Sequence, residues 1–100
     1  MKFVKDSDAA ISTCLQGYTE TTLRQLIEVF GEPNYYDGDN KVYVEFCLRF
    51  EDGTVATIYD WKRYEQGAPE LDELYHWHVG GTSPLAVATV EHQMRVHSLA

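Results

Sequence analysis

The chain predicts an α+β fold: an antiparallel sheet of three or four strands around a central β-hairpin, with two helices packed on one face. Three observations carry this. Residues 42–50 alternate strictly, with Val42, Val44, Phe46, Leu48 and Phe50 on one side and Tyr43, Glu45, Cys47 and Arg49 on the other. That is the period of a half-buried strand. Glu51-Asp52-Gly53 follows, and Asp-Gly is the strongest short hairpin signal. Leu23, Leu26, Ile27 and Phe30 recur at helical spacing, which gives one apolar stripe. One hundred residues make a single domain, 1–100, with enough chain for one core.

Taken in order, residues 1–8 predict a short extended start. Residues 9–15 predict a strand with Ile11, Thr13 and Leu15 on one side and Cys14 on the other, broken by Gly17. Thr19 is the expected cap of a helix reaching Phe30, closed by Gly31 and prevented from continuing by Pro33. Residues 34–41 read as a polar loop bearing exposed Tyr35 and Tyr36. Residues 54–61 form the returning hairpin strand, and 62–72 a solvent loop. Residues 73–79 predict a third strand with Tyr75, Trp77 and Val79 on one face and His76 and His78 on the other. Gly80-Gly81 then reads as a turn, and Ser83-Pro84 as the cap and first residue of a helix to about His97. Its expected core residues are Leu85, Val87, Ala88, Val90 and Met94.

Bulk composition narrows the classes. Eight Lys plus Arg against sixteen Asp plus Glu give a net charge of −8. No basic stripe is visible, so direct binding to a nucleic-acid backbone is not expected. The acidity fits simple solubility, a basic partner, or mimicry of nucleic acid. Seven Tyr, four Phe and two Trp exceed what so small a core needs, so some aromatics belong on the surface, where Tyr and Trp favour interfaces. Cys14 and Cys47 match no metal or redox spacing and read as reduced thiols. The start of the chain lacks a signal-peptide run and no stretch has membrane-span length. A cytoplasmic location is therefore expected.

The segment Tyr75-His76-Trp77-His78-Val79-Gly80-Gly81-Thr82-Ser83-Pro84 is the richest in chemistry. Read as strand, glycine turn and capped helix, it would gather an indole, imidazoles and a positive helix end. The expected ligand site is Trp77, His78, Gly80, Gly81, Thr82 and Ser83, joined by Trp61, Lys62 and Arg63 from the hairpin strand. A plain glycine turn with a capped helix explains the same residues without a ligand. His76 and His78 share a face and could chelate a metal if His92, His97, Asp60 or a carboxylate of 65–73 supplied a third ligand. Solvent-facing histidines are the simpler account, and no metal or cofactor is expected. Asp60 would pair with His78 as acid and base only if their strands were neighbours in that register. No nucleophile–base arrangement is identifiable, so an enzyme is not expected.

The run Val44-Glu45-Phe46-Cys47-Leu48-Arg49-Phe50-Glu51-Asp52-Gly53-Thr54-Val55-Ala56-Thr57-Ile58-Tyr59-Asp60-Trp61-Lys62, followed by Trp77-His78-Val79-Gly80-Gly81, resembles a group of small bacteriophage-encoded proteins over about residues 26–95. The helix, Gly-x-Pro, strand, Asp-Gly, strand order of residues 19–59 also resembles small lipoprotein and lactamase-inhibitor modules in shape. The phage resemblance implies a non-catalytic accessory protein that counters host defence in the host cytoplasm. Two functions follow. One is sequestration of a small nucleotide-like ligand at an oligomer interface. The other is inhibition of a host defence protein through an acidic, Tyr-rich surface with Tyr35, Tyr36, Asp37 and Asp39. Net acidity favours the inhibitor; a stacking residue beside an anion-friendly turn favours the ligand, and sequestration is the first expectation, with the inhibitor or a nucleic-acid mimic as the alternative.

Overall fold

The computed structural model describes residues 1–36, 41–63 and 66–99. They form β1 (Phe3–Lys5), a 3-10 turn (Ser7–Ala10), β2 (Cys14–Thr21), α1 (Leu23–Phe30), β3 (Tyr35–Tyr36), β4 (Val44–Phe50), β5 (Val55–Tyr59), β6 (Tyr75–Gly81) and α2 (Leu85–Leu99). The class is α+β as expected, but the antiparallel sheet has six strands rather than three or four. Its order is β1-β4-β5-β6-β2, with β3 also on β4.

The hairpin is the centre of the sheet. Alternation in β4 turns Val44, Phe46, Leu48 and Phe50 to one face, and the register Phe46↔Ile58 and Leu48↔Ala56 sets the β5 side chains on the same side. Ile58↔Val79 and Thr19↔Trp77 carry that face across β6 to β2. Leu23, Leu26 and Phe30 of α1 and Ala86 and Val90 of α2 close over it in one core. Both helices therefore lie on the face that the strand pattern leaves apolar.

Three expectations need correction. Of residues 9–15 only Cys14 and Leu15 lie in a strand. The chain makes the 3-10 turn there, capped by the Asp6 carboxylate accepting from Asp8 N. The strand begins at Cys14 and continues through Gly17, with a bulge between Leu15 and Gly17. Gly17 is needed there because a Cβ would lie 2.9 Å from Val87 Cγ2 of α2. Thr19 is accordingly a buried strand residue, and the helix cap is Thr22. Its hydroxyl accepts from Gln25 N while Gln25 Oε1 accepts from Thr22 N, a reciprocal capping box.

Gly80-Gly81 is not a turn either: both glycines end β6, paired to β5 and β2. The bend falls at residues 82–84, where Ser83 Oγ accepts from Leu85 N. A Cβ on Gly81 would lie 2.6 Å from Ala86 Cβ, so this glycine lets α2 sit down on the sheet. Helix α2 correspondingly buries Ala86 and Val90, half-buries Val87 and Met94, and leaves Leu85 and Ala88 exposed.

The 62–72 connection is tied down more than a solvent loop would be. Arg63 Nη1 and Nη2 donate to the two Glu73 carboxylate oxygens, Nε donates to Gly67 O, and the guanidinium lies 5.0 Å over the Tyr75 ring. Asp60 Oδ1 accepts from Tyr43 N and Val44 N, both at 2.8 Å, and locks the end of β5 to the start of β4. Among the described residues no helix is long and apolar enough to cross a membrane.

Candidate binding face

With both helices on one side, the opposite face of the sheet is covered only in part. The 3-10 turn crosses it over β4 and β5 at the Arg49 end, where Asp6 N donates to Cys47 O and Arg49 Nε donates to Asp6 Oδ2. Ala9 is buried beneath this crossing. Desolvation there pushes the Cys47 thiol up to about 12, so that sulfur is inert.

The rest of the face carries one continuous row. The registers Tyr35↔Glu45, Glu45↔Tyr59, Tyr59↔His78 and His78↔Tyr18 set five side chains in line across β3, β4, β5, β6 and β2. Residues directly opposite share a face, so all five point the same way. His76↔Glu20 extends the row on one side, and Trp61 joins it just beyond the end of β5. Ring centroids lie 4.7 Å apart for Tyr18–His76, 4.9 Å for Tyr18–His78, 5.4 Å for Tyr59–His78 and 6.2 Å for Trp61–His78. Tyr18 and Tyr35 are 44% and 45% exposed and Trp61 38%, an unusual outlay of aromatic surface for a face that also holds polar groups.

His78 is the centre of this array. Its Nδ1 is buried with no hydrogen-bond partner among the described residues. Burial holds its pKa below the ordinary value, and the neighbouring His76 adds to that. Burial likewise raises the Tyr59 phenol, with Glu45 contributing. Lys62 Nζ lies 5.6 Å from the Trp61 ring, an exposed cation at the end of the aromatic row.

The predicted site residues divide. Trp61, Lys62 and His78 come together on this face. Trp77 does not: it is fully buried on the helix side, its Nε1 donating to Thr21 O, and it cannot stack on a ligand. Gly81 also faces the helices. Gly80 lies on the open side but is buried between Thr57, Tyr59 and the Cys14 carbonyl, where a Cβ would come 2.5 Å from Thr57 Oγ1. Thr82 is exposed in the bend, Ser83 is used as a cap, and Arg63 is engaged by Glu73. The anion cradle expected from backbone amides and a helix end is thus absent from the aromatic row. Indole and imidazole were placed in one volume by sequence proximity, whereas strand alternation sends adjacent residues to opposite faces.

His76 faces Glu20 at 3.8 Å. Among the described residues no group of three or more His, Cys, Asp or Glu could hold a metal; His92 and His97 belong to α2, which packs on the other side. Asp60 follows Tyr59 but turns its carboxylate to the Tyr43 and Val44 amides, and no hydrogen bond joins it to His78. Burial raises its pKa, and its second oxygen has no partner among the described residues. The row's other members, Tyr18, Tyr59 and Glu45, were not in the predicted site. Tyr18 was hidden by taking Gly17 as a strand end; the period-two pattern already placed Tyr59 and Glu45 together. Tyr35 and Tyr36 are exposed as expected, Tyr36 donating its hydroxyl to Glu32 Oε2. Asp37 and Asp39 lie outside the described residues.

Known protein families, curated proteins and solved structures contain no match to this chain.

Proposed function

We propose that the chain is a non-catalytic protein-binding module whose open sheet face docks a basic protein surface. The observation that carries this reading is the cross-sheet row Tyr35–Glu45–Tyr59–His78–Tyr18 with Trp61 beside it. A broad aromatic surface flanked by the carboxylates Glu20 and Glu45, on a chain of net charge −8, suits a partner of opposite charge. Aromatic side chains supply the contact energy at small entropic cost, and the acids steer the encounter. The resemblance to phage-encoded accessory proteins, and that alone, makes a host defence protein in the cytoplasm the first partner class to test, with the chain as its inhibitor.

A second reading rests on a specific feature. Trp61, Lys62 and the unpartnered Nδ1 of His78 could hold a planar ligand at the end of the row, which keeps sequestration of a small nucleotide-like molecule, at an oligomer interface, as the alternative. Lys62 would be its main cation, since Gly80, Gly81 and Arg63 do not face it. Anion binding to so acidic a chain is electrostatically unfavourable, which ranks this reading second.

Native mass spectrometry of the chain purified from phage-infected, defence-carrying cells separates the two. The expected result is a stoichiometric second polypeptide that is lost in a Tyr18→Ser/Trp61→Ser variant and released by salt. A co-purifying small mass lost on denaturation selects the alternative. A bare protein overturns both.

A further inference from the structure

The open face already lays one of the chain's own cations on an aromatic ring. Lys62 Nζ lies 5.6 Å from the centre of the Trp61 ring. Lys62 is exposed and is in no ion pair among the described residues, so the indole face is what holds the ammonium. Its backbone has φ 54°, a left-handed conformation uncommon for a lysine, fixed by the bond from Lys62 N to Lys41 O. Backbone strain therefore coincides with a seated cation.

A fuller form of the same contact stands elsewhere in the chain. The Arg63 guanidinium lies 5.0 Å from the Tyr75 ring centre while both its Nη atoms donate to the Glu73 carboxylate. A ring beneath and a carboxylate at the edge satisfy the face and the N–H fork of a guanidinium together. The open face repeats these parts without the arginine. Tyr18 and Glu20 alternate on β2 and so share that face, opposite His78 and His76. Tyr18 is well exposed, and the Glu20 carboxylate, 3.8 Å from His76, is exposed too. Strand order puts Tyr18 on one side of His78 and Tyr59 with Trp61 on the other. Burial keeps the His78 imidazole neutral at neutral pH, so the floor between them does not repel a cation.

We propose that this patch binds the guanidinium of an arginine on the partner protein, stacked across Tyr18, His78 and Trp61, with Glu20 accepting from its N–H fork. The proposal rests on the docking reading above and names the side chain that the docked surface presents. Lysine fits less well, because a compact ammonium lacks the planar face and the fork that use rings and carboxylate at once. Lys62 competes for the Trp61 ring.

Chemical-shift titration of the full chain with a blocked Gly-Gly-Arg-Gly-Gly peptide tests it, beside the same peptide carrying lysine or citrulline. The arginine peptide should shift the Trp61 indole N–H and the Tyr18 ring protons saturably. Citrulline, which keeps the shape without the charge, should not, and lysine should bind more weakly. Tyr18→Ser, Trp61→Ser and Glu20→Gln should each weaken binding about threefold or more. Glu91→Gln, which removes the same charge from α2 on the other side of the sheet, should leave it unchanged. Lys62→Ala should tighten binding, whereas Lys2→Ala, at the Glu51 end of the sheet, should not. Circular dichroism of each variant, expected to match the parent, ensures that a lost signal is not a lost fold. No saturable shift with the arginine peptide overturns the proposal. So does equal binding of the lysine or citrulline peptide, or equal weakening by Glu20→Gln and Glu91→Gln, which is general attraction to an acidic chain. A polypeptide captured in native mass spectrometry beside a failed titration leaves the docking reading standing without the arginine. A saturating arginine peptide beside a bare protein keeps the arginine site and removes the docking reading.

Discussion

At Trp77 the indole has 0% exposure, packs edge-on against Tyr75 at 5.2 Å and donates to Thr21 O across the β6–β2 ladder. Truncation to alanine leaves a large cavity and removes the hydrogen bond to Thr21 O. Trp77→Ala should therefore cost about 3–5 kcal/mol, read as a fall in the urea midpoint at unchanged slope. His78 argues in the other direction, through pH. Its folded-state pKa lies below the ordinary 6.5 because burial disfavours the imidazolium. A base with a depressed folded pKa leaves stability intact above its unfolded pKa and removes it as pH falls through the folded value. Urea midpoints should thus drop as pH falls below the ordinary value of about 6.5, and drop less in His78→Gln. The raised pKa of Asp60 works with opposite sign, so the difference between the two proteins, rather than the parent alone, is the measure. The thiols give a third contrast: Cys14 is exposed and Cys47 buried. A thiol reagent should modify Cys14 alone in the native protein, and both cysteines only after unfolding.

Helix α1 has eight residues, Leu23–Phe30, too few to persist by intrinsic propensity, so its ends and its packed stripe must hold it. The Thr22–Gln25 capping box satisfies the Thr22 and Gln25 amides, and Leu71 O accepts from Arg24 N. Thr22→Ala should cost about 1 kcal/mol, seen as a lower thermal midpoint with loss of protection at the Gln25 amide. This helix and the β4–β5 hairpin were legible in the sequence because one uninterrupted period, of 3.6 or of 2, runs the length of each. β2 was not legible. Its bulge breaks the alternation, and Thr19 and Thr22 are equally good cap types locally; only pairing with β6 decides between them. The two glycines of β6 misled for a related reason. Gly81 is there to admit Ala86 of α2, a contact five residues away in the chain that exists only once the helix has folded back. At the site, the same blindness to register left Tyr18 unassigned, although the alternation that sends Trp77 inward and His78 outward was plain in the pattern.

Across the whole molecule the two sheet faces do different work. One buries Trp77, Phe46, Leu48, Ile58 and Val79 under two helices; the other spends Tyr18, Tyr35 and Trp61 on water. Apolar area left in solvent adds little to folding, since folding does not remove it from water. The fold as a whole is held by the helix side. Substitutions on the open face should therefore separate from those in the core: each well-exposed surface change is expected within about 0.5 kcal/mol. A Tyr18→Ser/Tyr35→Ser/Trp61→Ser variant should keep the parent's circular dichroism spectrum and lose no more than about 2 kcal/mol, three small effects plus a coupling through His78, which both Tyr18 and Trp61 approach. The same variant should lose the partner in native mass spectrometry. Trp77→Ala should show the reverse ranking, with stability falling first and binding failing only as the folded fraction falls. If instead the triple variant unfolds, the aromatic row is a structural layer of the domain and the docking reading fails with it.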